Sequence, residues 1–168
     1  MKNARKIWMF LVSIGVLLES CVANEPKSRT DSIELKILKV DNSVISYGLT
    51  NTGKHPVYLW DDANSYGWDA LSIDVRIDNE VISIKRKQAD FTRNGPGRVS
   101  VEPDNTIKRD INLGDGYWEI PQKLRGRNGE FEIRLKLAFQ KTKDAKKFQI
   151  LETPLESDWR KSFIAIGK

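Results

Sequence analysis

Cys21 is the only cysteine of this chain and His55 its only histidine. Nucleophilic triads set a histidine beside a serine or cysteine, and structural zinc sites draw on several Cys or His ligands. With one residue of each type, and His55 lodged in a turn before Pro56, those chemistries drop out. Carboxylate pairs for acid–base work stay open in principle, but spacing along the chain does not pair them. A lone cysteine cannot close a disulfide within the chain. The thiol of Cys21 is left for modification.

Two further groups have the right types for binding. In the loop Asp61-Asp62-Ala63-Asn64-Ser65-Tyr66-Gly67-Trp68-Asp69, the residues Asp62, Asn64 and Gly67 fall on the first, third and sixth positions of a calcium loop. Tyr66 takes the fifth position, and Ile73 stands at the twelfth, where a bidentate Glu is required. The expectation is a loop built by its own Asx side chains, without metal, with Trp68 folded against the edge of the core. Trp60, Tyr66, Trp68, Tyr117 and Trp118 lie at or near strand ends and are the candidate ligand-binding residues. Exposed, their rings would stack on sugars; the competing role is core packing, where large aromatics bury most of their area. Lys85-Arg86-Lys87, with Arg93 and Arg98, forms a basic cluster around residues 91–97. Such a cluster meets anionic groups or guards an edge strand from pairing with other chains.

Residues 1–23 carry a different message. Lys2, Arg5 and Lys6 precede the apolar run 7–18, and Leu18-Glu19-Ser20-Cys21 follows. The run is shorter than the roughly 20 residues that span a bilayer. A charged start, a short apolar run and a small-residue exit are the parts of an export signal. Leu18-Glu19-Ser20-Cys21 resembles the lipobox of bacterial lipoproteins, which implies cleavage before Cys21 and a lipid on that residue; Glu19 departs from the pattern. A cut after Cys21-Val22-Ala23, with small residues at its last and third-last positions, is the alternative. The expected organisation is a lipoprotein-type signal peptide over 1–20, lipidated Cys21 and a flexible tether over 21–32, and one domain over 33–168. Such a chain is exported to the periplasm or cell surface and anchored to a membrane by its N-terminal lipid. An envelope protein or a glycan is then the expected partner of the domain.

The chain holds 28 Lys+Arg and 23 Asp+Glu; without residues 1–20, 25 and 22 remain, a net charge of +3. This mixed balance lacks the clustered charge of a nucleic-acid footprint, and no nucleic-acid partner is expected. No cofactor is expected either.

The elements that must position these residues follow a period of two. Ile33, Leu35 and Ile37 alternate with Glu34 and Lys36; Ile45, Tyr47 and Leu49 alternate with Ser46, Gly48 and Thr50. Leu71, Ile73, Val75 and Ile77 run to a turn at Asp78-Asn79-Glu80 and return along 81–87, a hairpin pattern. Residues 98–101 lead through Pro103-Asp104-Asn105 to 106–113. Phe131, Ile133, Leu135, Leu137 and Phe139 alternate with polar partners, a charged turn follows at 141–147, and 148–153 with 155–166 close the domain. No window after residue 24 shows a helical stripe. Eight or nine short strands separated by turns predict an all-β sandwich of two antiparallel sheets.

Residues 45–60, Ile-Ser-Tyr-Gly-Leu-Thr-Asn-Thr-Gly-Lys-His-Pro-Val-Tyr-Leu-Trp, resemble the strand–turn–strand of bacterial immunoglobulin-like domains. There an apolar strand ends in Asn-x-Gly and a Pro-Val pair opens the next. Residues 152–166 resemble the closing strands of that family more loosely. The resemblance implies an immunoglobulin-like sandwich that binds, spaces or scaffolds, and a shared fold does not choose among these. The expected function is a binding or accessory module of the cell envelope, not an enzyme. The alternatives are a carbohydrate-binding module using Trp60, Tyr66, Trp68 and Trp118, and, last, a carboxylate-dependent envelope enzyme.

Overall fold

The two-residue alternation is realised as antiparallel strands throughout a computed structural model that describes residues 33–91 and 95–166. The expected signal, Cys21, the tether and Arg93 lie outside the described residues. β1 (Ile33–Asp41), β2 (Val44–Asn51) and β7 (Thr106–Asn112) form one sheet in the order β1-β2-β7. The second sheet runs β10 (Leu155–Glu156), β9 (Asn128–Leu137), β4 (Leu71–Ile77), β5 (Glu80–Arg86) and β8 (Trp118–Glu119), and β11 (Arg160–Ala165) also pairs with β9. β3 (Val57–Trp60) and β6 (Arg98–Val101) pair separately as a two-stranded ribbon. The fold is an all-β sandwich.

Its core is a single apolar cluster. Ile45, Tyr47, Leu49 and Ile111 from the three-stranded sheet share it with Ile73, Val75, Ile84, Ile133 and Leu135 from the six-stranded one. Alternation makes this possible, because successive side chains point to opposite faces of a strand. The β4–β5 hairpin turns on Asp78 and Asn79, both at positive φ (48° and 68°), which matches the twist of the flanking strands and suits Asx residues.

The structure departs from the expected layout in three places. The third, two-stranded unit arises because one edge of β3 is taken by the chain near the C-terminus: Tyr58 bridges Ile150, and the Leu151 amide donates to the Tyr58 carbonyl at 2.9 Å. Residues 143–147, expected as a turn, form α1 (Lys143–Lys147), a single helical turn. Thr142 caps it, accepting from the Ala145 amide at 3.0 Å, and Asp144 near its start with Lys146 and Lys147 near its end suit the peptide dipoles. One turn is too short to show a periodic stripe. Finally, the described residues hold eleven strands: the closing segment is divided between β10 and β11 by a bulge described below, and β8 is a two-residue strand too short to show an alternation.

Asn51 explains the Asn-x-Gly turn. Its side chain is fully buried, donates to the carbonyls of His55 and Val101 at 2.8 Å each, and accepts from the Gly53 amide at 2.9 Å. Its backbone exchanges hydrogen bonds with Asp104 and Asn105. Asn51 thus ties the end of β2 to the ribbon through its side chain and to the turn before β7 through its backbone.

Candidate functional site

The loop 61–70 leaves β3 and folds on itself through its own polar atoms. Asp61 Oδ1 accepts from the Ala63 amide at 3.1 Å, and Asn64 Oδ1 accepts from the amides of Tyr66 and Gly67 at 2.9 and 3.3 Å. Asn64 Nδ2 donates to the Gly97 carbonyl, which also receives the Asp61 amide. Gly67 is required by contact, since a Cβ there would run into the Asp61 carbonyl. The expected Asx-built loop is what forms. Asp62 turns instead toward two guanidiniums, Arg86 at 3.7 Å and Arg109 at 3.8 Å. Beside it lies a small, partly open space of about 30 Å³ bounded in part by Tyr47, Trp60, Asp62 and Arg109. Burial, and then the nearby charge of Asp62, push the Tyr47 hydroxyl up to about 12.

The five candidate rings divide into two groups. Trp60 is in the core at 3% exposed, packed against Tyr66 (4.9 Å between centroids) and Phe148 (5.5 Å). Trp118 is equally buried, at 4%. For these two the core role holds, and they offer no ring to a ligand; Tyr66, half-buried, packs against the same core. Trp68 and Tyr117 meet edge to face at 5.6 Å near the surface, with Phe91 at 5.8 Å from Trp68. Tyr117 is 58% exposed. The Arg86 guanidinium stacks on Trp68 at 4.4 Å and lies 5.4 Å from Trp118, and the Trp68 indole N–H donates to the Lys87 carbonyl at 2.7 Å. Arg86 therefore joins the half-buried Trp68 to the buried Trp118 while donating to the Asp62 carbonyl at 3.1 Å.

Beside Trp68 and Phe91 runs an open groove of about 580 Å³, with Ser72, Lys85, Lys87 and Glu119 among its lining residues. The basic cluster read from the sequence is split by the fold. Lys85 and Lys87 border this groove, Arg86 points inward, and Arg98 stacks on Tyr58 at 4.1 Å while donating to the Phe148 carbonyl. His55 is exposed in its turn, where its carbonyl serves Asn51.

Sequence reasoning missed a second group on the outer face of the six-stranded sheet. Asp74 alternates with Ile73 and Val75 and so takes an outward position of β4, yet it is buried. Ser83 donates to it at 2.6 Å, Arg134 at 2.9 Å and Lys136 at 3.0 Å, all from the neighbouring strands β5 and β9. Burial alone would raise its pKa, but these three donors together outweigh that and hold the carboxyl below its ordinary range. The bond to Asp74 likewise raises Lys136. Glu156 completes the network, 2.6 Å from Arg134 and 3.4 Å from Lys136, and Arg76 pairs with Glu132 at 2.7 Å.

Trp159 lies over this network, its ring 4.0 Å from the Arg76 guanidinium and 4.6 Å from that of Arg134. A bulge puts it there. Glu156 is opposite Lys136 and Arg160 opposite Ile133, so four steps of one strand match three of the other. Ser157 fills the gap, its amide donating to the Leu135 carbonyl and its hydroxyl accepting from the Leu135 amide. The extra residue shifts the alternation, which re-aims a side chain to the other face. A tryptophan three residues after Glu156 gives no sign of this in the sequence.

No protein-family model matches this chain, and no curated protein matches it.

Proposed function

We propose that the chain is an exported, lipid-anchored, immunoglobulin-like β-sandwich that serves as a binding or accessory module of the bacterial cell envelope and acts without catalysis. The signal-like residues 1–20 and the solitary Cys21 support export and anchoring. The Asn51–Gly53 turn, with its buried amide, supports the immunoglobulin-like resemblance. The observation that carries the binding reading is the groove beside Trp68 and Phe91, bordered by Lys85, Lys87 and Glu119. Its volume lies in the range of ligand sites, and it joins aromatic wall to polar rim. The outer-face carboxylates favour binding over catalysis, because Asp74, Glu132 and Glu156 each face a cation at hydrogen-bond distance.

Two measurements test this. Cys21→Ala should abolish labelling by a fatty-acid analogue and release the chain from membranes; an unlabelled wild-type chain beginning at Asn24 would refute the anchor. The released Cys21→Ala chain should be retained by isolated envelopes, and Trp68→Ala in that background should lose the retention while melting as a folded domain. Equal retention of both would refute the groove.

A further inference from the structure

The groove and Trp159 occupy one face. Ser72, Asp74 and Arg76 point the same way along β4; Ser72 lines the groove, Asp74 centres the charged network, and Arg76 lies under the Trp159 ring. Lys85 stands opposite Ser72, Ser83 opposite Asp74, and Arg134 opposite Asp74 on the other side. From Ser72 to Arg76 the strand advances about 13 Å. These positions therefore form one row from the Trp68 groove, across the network, to Trp159.

Trp159 is placed as a platform on this row. Both guanidiniums stacked on it rise from the sheet, Arg76 from β4 and Arg134 from β9, and the indole itself is half-buried. Among the described residues, no other ring or cation stacks on it. The network beneath is electrically balanced, three cations (Arg76, Arg134, Lys136) against three carboxylates (Asp74, Glu132, Glu156), and at the groove end Lys85 and Lys87 are matched in number by Asp69 and Glu119 while Arg86 is paired with Asp62. A neutral, hydrogen-bonding floor between two indoles has little attraction for a polyanion and little apolar area for an acyl chain. It suits a chain whose rings have apolar faces and hydroxyl edges.

We infer that the outer face of the six-stranded sheet, from the Trp68 groove to Trp159, is an extended binding track for a neutral polysaccharide, with Trp159 as its far stacking platform. The inference rests on the groove being a ligand site. It adds the ligand class and a second anchor.

The test is native affinity electrophoresis of the Cys21→Ala chain in gels containing laminarin, hydroxyethyl cellulose, xyloglucan or glycol chitin. At least one of these should retard the protein. Trp159→Ala should weaken that interaction by about tenfold, on the scale of one lost stacked aromatic contact, while Trp159→Tyr keeps most of it. Thermal melts of both variants confirm folding. Retardation abolished by Trp68→Ala but unchanged in Trp159→Ala would leave the groove as a ligand site and overturn the extended track. No retardation by any of the four polymers, with Trp68-dependent retention on envelopes preserved, would overturn the polysaccharide class alone and point to a protein partner. Loss of both would overturn the groove as well.

Discussion

Arginine meets tryptophan twice in this sandwich, in inverted arrangements. At the loop end, one guanidinium, Arg86, lies between two indoles, Trp68 and Trp118. On the outer sheet face, one indole, Trp159, lies over two guanidiniums, Arg76 and Arg134. The carboxylates differ accordingly. Asp62 stands 3.7 Å from Arg86 and 3.8 Å from Arg109, partly exposed, whereas Asp74 has donors at 2.6, 2.9 and 3.0 Å and is 1% exposed. Sheet register accounts for the contrast. Cross-strand neighbours sit about 5 Å apart at fixed angles, so the two flanking strands deliver three donors onto one carboxylate. A loop has no such lattice, and there the aromatic stacking positions the arginine while the charges meet loosely. Buried, fully bonded charges are costly to break; loose, wet ones contribute little.

The largest expected effect tests the sheet side of this contrast. Asp74→Ala should cost about 3–5 kcal/mol in denaturant unfolding at neutral pH, because Ser83, Arg134 and Lys136 lose their shared buried acceptor at once. Its folded pKa is depressed, so its contribution is present above the unfolded carboxyl value of about 3.9 and lost as pH falls through the folded value. The gap between wild type and variant should therefore close in acid. A gap that stays constant into acid would mean that the carboxylate's charge is not what stabilises the sheet.

A middle-sized effect separates the two faces of β9. Leu135→Ala should cost about 2–5 kcal/mol as an emptied core site. Lys136→Ala, on the opposite face, should cost about 1–2 kcal/mol, since Asp74 loses one of its donors but keeps Arg134 and Ser83. A solvated lysine would be worth about 0.5 kcal/mol or less. A Lys136→Ala variant that unfolds with the wild type would show that Arg134 alone suffices.

The smallest effect belongs to the loop side. Asp62→Asn should change stability by about 1 kcal/mol or less, because its ion pairs are long and wet. Its signature is electrostatic. Tyr47 is raised to about 12, so its contribution is present below the ordinary value near 10 and lost as pH climbs between the two. Removing the Asp62 charge takes away one cause of that rise, leaving Arg109 and Arg86 to lower it. The tyrosinate absorbance assigned to Tyr47, by difference from Tyr47→Phe, should then appear at lower pH. An unmoved titration would break the proposed link between loop and core.

Much of this molecule was legible before any coordinates. The alternation in β1, β2, β4 and β9, the Asp78–Asn79 turn and the Asx-built loop all express rules that act within a few residues. The candidate site was legible only in part. Trp68 and Tyr117 stay near the surface as a binding role requires, but Trp60 and Trp118 are consumed by the core, and a tryptophan at a strand end reads the same in either case. α1 escaped notice because five residues carry no period.

By itself, the sequence determined what local chemistry can determine: an all-β chain, its inward and outward faces, its principal turns, and a single histidine and a single cysteine. The tertiary structure decided which outward residues are truly outward. Asp74 and Lys136 occupy solvent-facing positions by alternation, yet become a covered network because strands distant in sequence bring Ser83, Arg134 and Glu156 to them. Trp159 reaches that face because one extra residue between Glu156 and Arg160 breaks the alternation. Periodicity is set by bonds between neighbours along the chain, whereas register and bulges are set by which strands come together, and that depends on packing the whole core at once.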